Sequence, residues 1–236
     1  MKETITTAQL RKQLESLADE RYARFSSALL PQLTRPLVGV RLPVLRSLAH
    51  ELAKYDAAVL LDQVVSANTF EEVMLRGFLI GYARFSWEER WSRIQAFVPL
   101  IDNWSVCDSC CATFKEVRKH REEVWPFLLE QIASGEEFRQ RFAVVLMMDY
   151  YLTDDFIAPV LETWRQLQPA GYYAEMALGW GLSVAALQDK ASTLALLRDG
   201  QVPVTVRRKA CQKILESFRS STELRNEIKK IKSKLK

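Results

Sequence analysis

The sequence predicts an all-α protein assembled from stacked helical pairs, and three observations predict it. Glycine and proline are scarce, at eight each in 236 residues, which argues against a turn-rich β-sandwich and against long disordered linkers. Apolar residues recur at helical spacing along most of the chain, and nowhere is there the strict alternation of a half-buried strand. Finally, Phe70, Trp104, Phe138 and Tyr172 stand 34 residues apart without a matching letter-by-letter repeat. That is the mark of a degenerate solenoid, in which each helical pair buries one face on its neighbours and the curved stack offers a concave face.

Taken in order, Thr6 or Thr7 caps a helix running to about Ala18. Glu20 to Leu30 follows, with Tyr22, Phe25 and Leu29 or Leu30 at helical spacing, and Pro31 stops it. Thr34 to Pro43 reads as a loop that places Pro43 in the first turn of the next helix, whose apolar side carries Leu45, Leu48, Ala49 and Leu52. Asp56 to Val65 is a short amphipathic piece. Capping boxes at Thr69-x-x-Glu72 and Ser86-x-x-Glu89 open helices over Phe70 to Tyr82 and Trp87 to Phe97. Either Asp102 or Asn103 caps the helix that follows. Glu122 to Ile132 is helical with Pro126 placed within about the first turn, and Ser134-x-x-Glu137 caps Glu136 to Tyr151. Asp154 to Leu167, Tyr172 to Leu187, Lys190 to Leu197, Val204 to Phe218 and Thr222 to Lys234 complete the series. We expect one domain over 1–236, with 219–236 as a basic C-terminal helix or tail.

The composition, 48% hydrophobic and 26% charged, is that of a soluble globular protein. The net charge of +4 is uneven: Arg207 to Lys236 holds eleven Lys or Arg against Glu216, Glu223 and Glu227, a balance of +8 that leaves −4 for the first 206 residues. Such a basic segment either follows a phosphate backbone or forms a solvated final helix. Lys2, Glu3, Arg11, Lys12 and Glu15 exclude an apolar leader region between Met1 and Ala18, and no stretch approaches ~18 uninterrupted apolar residues. A cytosolic protein with reduced thiols is expected. Cys107-x-x-Cys110-Cys111 invites a metal reading, but Cys211, His50 and His120 offer no second ligand pair, so no metal is expected and the cysteines read as small buried residues.

Four residues invite a chemical reading. Trp104 and Asp108 lie one turn apart on one helical face, an indole beside a carboxylate, which suits a cationic ligand or transition state; a packing anchor and a solvated polar residue are the plain alternative. Arg141 interrupts an otherwise apolar helix, so it is either paired, with Asp149 or Asp108, or faces a ligand groove. Trp180 lies between Gly179 and Gly181, which either let a ligand approach the backbone or let two helices pack closely.

Together, Gly39-Val40-Arg41-Leu42-Pro43, Asp102-Asn103-Trp104 with Asp108, Arg139-x-Arg141-Phe142-Ala143 and Met176-Ala177-x-x-Trp180 resemble the AlkD-like DNA alkylation repair family, over roughly Leu10 to Phe218. The resemblance implies a C-shaped solenoid of HEAT-like repeats whose concave, positively charged face holds double-stranded DNA. It also implies excision of cationic or bulky alkylated purines without drawing the base into a protein pocket. By position, Trp104 and Asp108 flank the damaged nucleotide, Trp180 completes an aromatic cleft, and Arg141, with Arg139 beside it, contacts the DNA backbone. A carboxylate opposes the positive charge developing on the sugar, and each indole face favours a cation by ~0.5 to 2 kcal/mol. The chain departs from the family pattern at Ser105, where an acidic residue is usual, and at Gly181-Leu182-Ser183-Val184, where charged residues follow the second Trp. The expectation is a monomeric, cofactor-free glycosylase with Asp108 as the catalytic carboxylate. No lysine is placed for lyase chemistry. The alternatives are a non-catalytic protein binding distorted or branched DNA and a protein-interaction scaffold, the latter favoured by the acidic balance of the first 206 residues.

Overall fold

The computed structural model describes residues 5–235. Lys2 and Glu3, which enter the leader argument, and Lys236 of the basic segment lie outside the described residues. Among the described residues the fold is 71% helical, with 14 helices and no strands, and the β-type pairing there is an isolated antiparallel bridge between Ala18 and Val40. It is an all-α helical-repeat fold. Backbone contacts divide it into two compact units, Met1–Glu116 and Val117–Lys236.

The first unit contains α1 (Thr7–Ser16), α2 (Glu20–Leu29), α3 (Leu42–Leu52), α4 (Ala57–Val59) continued by a π-turn at Leu60–Val64, α5 (Phe70–Tyr82), α6 (Trp87–Phe97) and α7 (Trp104–Cys111). Helices α3, α5 and α7 pack side by side as a row. The second unit contains α8 (Arg121–Ala133), α9 (Glu137–Tyr150), α10 (Ile157–Gln166), α11 (Tyr172–Ala185), α12 (Lys190–Arg198), α13 (Val204–Glu216) and α14 (Thr222–Lys232). Here α9, α11 and α13 form one row, and α10, α12 and α14 form a second. The 34-residue spacing is the repeat of the first kind of row: Phe70, Trp104 and Tyr172 are the first residues of α5, α7 and α11, and Phe138 is the second of α9.

Small residues set how closely row helices approach. A Cβ on Gly77 would lie 2.2 Å from the Cys110 sulfur, and one on Gly81 would lie 2.1 Å from the Thr113 hydroxyl. All four cysteines are buried thiols, and burial pushes the Cys110 thiol well above its ordinary pKa. In the second unit, a Cβ on Gly179 would come within 2.9 Å of the Lys209 side chain in α13, and one on Gly181 within 2.7 Å of the Trp164 ring in α10. Close helix packing is therefore what the two glycines around Trp180 do.

Two buried carboxylates at the start of α5 organise the first unit. Glu71 and Glu72 are both fully enclosed. Glu71 accepts successive backbone N–H groups from the α2–α3 connector, Val38 at 2.9 Å, Gly39 at 2.7 Å and Val40 at 3.2 Å. Gly39 has φ +102°, and a Cβ there would lie 2.8 Å from that of Ala23, so the bend that delivers three donors to one carboxylate requires glycine. Glu72 closes the capping box with Thr69 and also accepts from Asn68 and from Arg11.

Three local expectations change. Ser86 caps α6, but the Glu89 carboxylate bonds Arg93 and does not return to the cap. Ser134 ends α8 as its C-cap, and α9 starts after Glu136 without a side-chain cap. Pro126 lies beyond the first turn of α8, because that helix starts at Arg121; its ring leaves the Glu122 carbonyl without the usual partner. The basic C-terminal segment is helical over Thr222–Lys232, with Leu224, Ile228 and Ile231 buried at helical spacing and lysines on the open side.

Gly181→Ala should lower stability by ~1 to 3 kcal/mol through overpacking against the fully buried Trp164, although alanine is intrinsically the better helix former by ~1 kcal/mol. Denaturant unfolding measures the net loss, and an increase in stability would show that α10 yields freely. Burial pushes the Glu72 carboxyl upward, but hydrogen bonds from Ser66, Arg11, Asn68 and Thr69 outweigh it, and its pKa lies below the ordinary 4.5. Its contribution is therefore complete above that ordinary value and lost as pH falls through the lower folded value. Thermal melts from neutral to acid pH should show a shallower acid loss for Glu72→Gln than for the wild type.

Candidate nucleic-acid interface

Helix α7 starts at a doublet, Asp102-Asn103, of which either member is a good cap. Asn103 takes the role: it is 4% exposed, and its side-chain oxygen accepts the Val106 N–H at 2.9 Å. Asp102 turns outward from the helix. Its carboxylate pairs with the Arg35 guanidinium, accepts the Thr34 hydroxyl at 3.4 Å and accepts the Asn103 amide at 2.8 Å.

Trp104 is the first residue of α7 and is half-buried. Its indole N–H donates to the Leu29 carbonyl at 3.2 Å. That carbonyl belongs to the last turn of α2, where helix geometry leaves acceptors without intrahelical donors. The indole is thus held at its polar edge. Asp108, also half-buried, follows one turn later on the same helix. The two side chains that the sequence pairs therefore do share one short helix in the first unit.

The second unit carries the other three candidates. Arg141, in α9, is 5% exposed, and its guanidinium donates to the Tyr173 carbonyl in the first turn of α11 at 2.7 Å. Arg139, two residues earlier on the same helix, pairs with Glu136 at 3.1 Å and keeps 35% of its side chain exposed. Trp180 is half-buried in the middle of α11. Helices α9 and α11 are direct neighbours, joined also by Glu137, whose carboxylate accepts the Tyr173 N–H at 2.6 Å. Neither Trp104 nor Trp180 is a core residue.

Other functional groups gave little signal in the sequence. Arg35 sits in a stretch whose prolines and glycine announce only a loop, yet it bridges Asp102 and, through Nε at 3.0 Å, the Ala67 carbonyl. Arg46 looks like an ordinary polar residue of α3, but it donates to the Tyr82 hydroxyl at 2.7 Å, reaches the Ser109 carbonyl of α7 and lies 4.5 Å from the Phe78 ring centre. The Asp102-Asn103 doublet was the available hint: two good cap residues stand in line for one cap, and an Asp left over needs a cation.

Chemically, a tethered indole beside a carboxylate can hold a planar cation and oppose developing positive charge. Among the described residues, no cluster of His, Cys, Asp and Glu is arranged to hold a metal ion, and no helix is long and apolar enough to cross a membrane.

No curated protein matches the chain in sequence comparison. A family model described as DNA alkylation repair enzyme matches residues 10–218, a span that takes in α2, the whole of α7 and α11, and every candidate residue named above. With Trp104 and Asp108 on α7 and Trp180 on α11 inside that span, the chain belongs to the DNA alkylation repair enzyme family, and its role is in DNA alkylation repair.

Proposed function

We propose that the protein is a monofunctional DNA glycosylase that removes cationic or bulky alkylated purines from double-stranded DNA by hydrolysis. The observation that carries this reading is the turn of α7 in which a half-buried indole, tethered through its N–H, precedes a half-buried carboxylate by four residues. N-alkylation makes the base cationic and a good leaving group, so the protein's task is to stabilise an oxocarbenium-like sugar and place a water. Asp108 supplies the negative charge opposite the sugar and orients the water. Trp104 offers its ring face to the cationic nucleotide, and Trp180 is read as a DNA contact of the second unit.

In this reading Arg139, with a third of its side chain open, contacts a phosphate. Arg141 adds its charge from beneath the surface and stiffens the α9–α11 contact through the Tyr173 carbonyl. The HEAT-like rows present these groups to duplex DNA, and the exposed lysines of α14 extend the basic surface. No metal or organic cofactor takes part, and the protein acts as a monomer in the cytoplasm.

Incubation with a duplex bearing one alkylated purine should generate abasic sites without strand cleavage. Asp108→Asn keeps the side-chain size and removes the charge. It should slow single-turnover excision by roughly 10²- to 10³-fold, ~2.7 to 4 kcal/mol, while DNA affinity and melting temperature change little. Equal rates would eliminate Asp108 as the catalytic carboxylate, and a large fall in melting temperature would make it a structural partner instead. Duplex affinity should also fall steeply with salt, each phosphate contact adding about −0.9 to the slope of log K against log salt. A slope near zero would remove DNA as the ligand.

A further inference from the structure

Asp102 and Asn103 compete for one position. Asp and Asn are about equally good N-caps, and a helix capped at Asp102 would start one residue earlier than the α7 observed. The choice is made from outside the helix. Arg35, on the α2–α3 connector, holds the Asp102 carboxylate in an ion pair with side chains 22% and 24% exposed, respectively. Thr34 adds a bond to the same oxygen.

The connector is itself fastened. Arg35 reaches the Ala67 carbonyl at 3.0 Å, the Pro36 carbonyl accepts the Phe70 N–H at 3.0 Å, and Glu71 gathers the next amides. With Asp102 occupied, Asn103 stays extended at φ −154° and ψ 159° and caps Val106, and Trp104 becomes the first helical residue. The same connector begins at the end of α2, whose Leu29 carbonyl receives the Trp104 indole. Both attachments that fix Trp104, its backbone through the cap and its ring through the N–H, therefore trace to residues 29–35.

We infer that Arg35 is a positioning residue for the proposed excision reaction: by neutralising Asp102 it leaves Asn103 as the cap of α7, and this sets the Trp104 ring in register with Asp108. The inference rests on the glycosylase reading for its effect on rate, but its structural half stands independently. Freed from Arg35, Asp102 draws the cap to itself, the backbone of Asn103 turns helical, and the lead-in to Trp104 shifts against Leu29.

The test uses the full-length protein with Arg35→Gln, Asp102→Ala and the double variant. The Trp104 indole N–H resonance, assigned by its loss in Trp104→Phe, should move in Arg35→Gln and exchange faster with solvent. Single-turnover excision should slow about ten- to a hundredfold, the scale of a small misplacement of a reacting group, with duplex affinity within about twofold of wild type. Adding Asp102→Ala removes the competing cap, so the double variant should regain both the resonance position and the rate. A general loss of structure would not be repaired by a second deletion. An unmoved indole signal in Arg35→Gln, or no recovery in the double variant, overturns the inference. So does a loss of duplex affinity as large as the loss of rate, which would make Arg35 a phosphate contact. If the wild type releases no alkylated base, the glycosylase reading fails by itself, and the indole signal with its rescue still decides the role of Arg35.

Discussion

The first unit depends on one buried carboxylate. Glu71 is wholly enclosed at the start of α5 and accepts three consecutive amides of the α2–α3 connector. A buried carboxylate without donors would be costly, and a buried run of free amides would be costly too; brought together they satisfy each other through hydrogen bonds worth ~1.5 to 3 kcal/mol each. The geometry demands the positive φ of Gly39. Once the connector is pinned there, Arg35 and the end of α2 have fixed places, and through them so does Trp104.

The second unit uses the same logic between successive row helices. The Glu137 carboxylate at the start of α9 accepts an amide at the start of α11, and Glu175 of α11 accepts the Thr205 hydroxyl at the start of α13. At the other ends of row helices, arginines serve the carbonyls left over by helix geometry. Arg90 donates to Ile80, Gly81 and Ala83 at the end of α5, Arg121 to Tyr150 at the end of α9, and Arg225 to Ser217 beyond α13. A guanidinium has five donors in a fixed fork, which suits it to gathering several carbonyls at once.

This internal employment of arginine bears on how the protein meets an anionic partner. Arg90 and Arg141 are almost wholly enclosed: Arg90 serves three backbone carbonyls and the Glu116 carboxylate, and Arg141 donates to the Tyr173 carbonyl. Counting basic residues along the chain therefore overstates the charge available at the surface in the middle of the sequence. Exposed cations are spread along the chain, from Arg11, Arg21 and Arg24 through Lys115 and Lys119 to Arg208, Lys229, Lys230 and Lys232.

The sequence by itself determined the all-α class, the 34-residue repeat and most helix starts, because apolar spacing and cap residues act within a few residues of one another. Thr6, Thr69 and Asn103 cap helices that their own letters announce. It also placed Trp104 and Asp108 on one face, since helix geometry alone fixes positions four apart. Tertiary structure decided what depends on partners distant in the chain. It chose Asn103 over Asp102 because Arg35, 67 residues away, claims the carboxylate. It assigned Gly179 and Gly181 to helix packing because Lys209 and Trp164 lie against them. And it drew Arg141 inward to the Tyr173 carbonyl, since a guanidinium surrounded by apolar neighbours must find an acceptor wherever the fold brings one within reach.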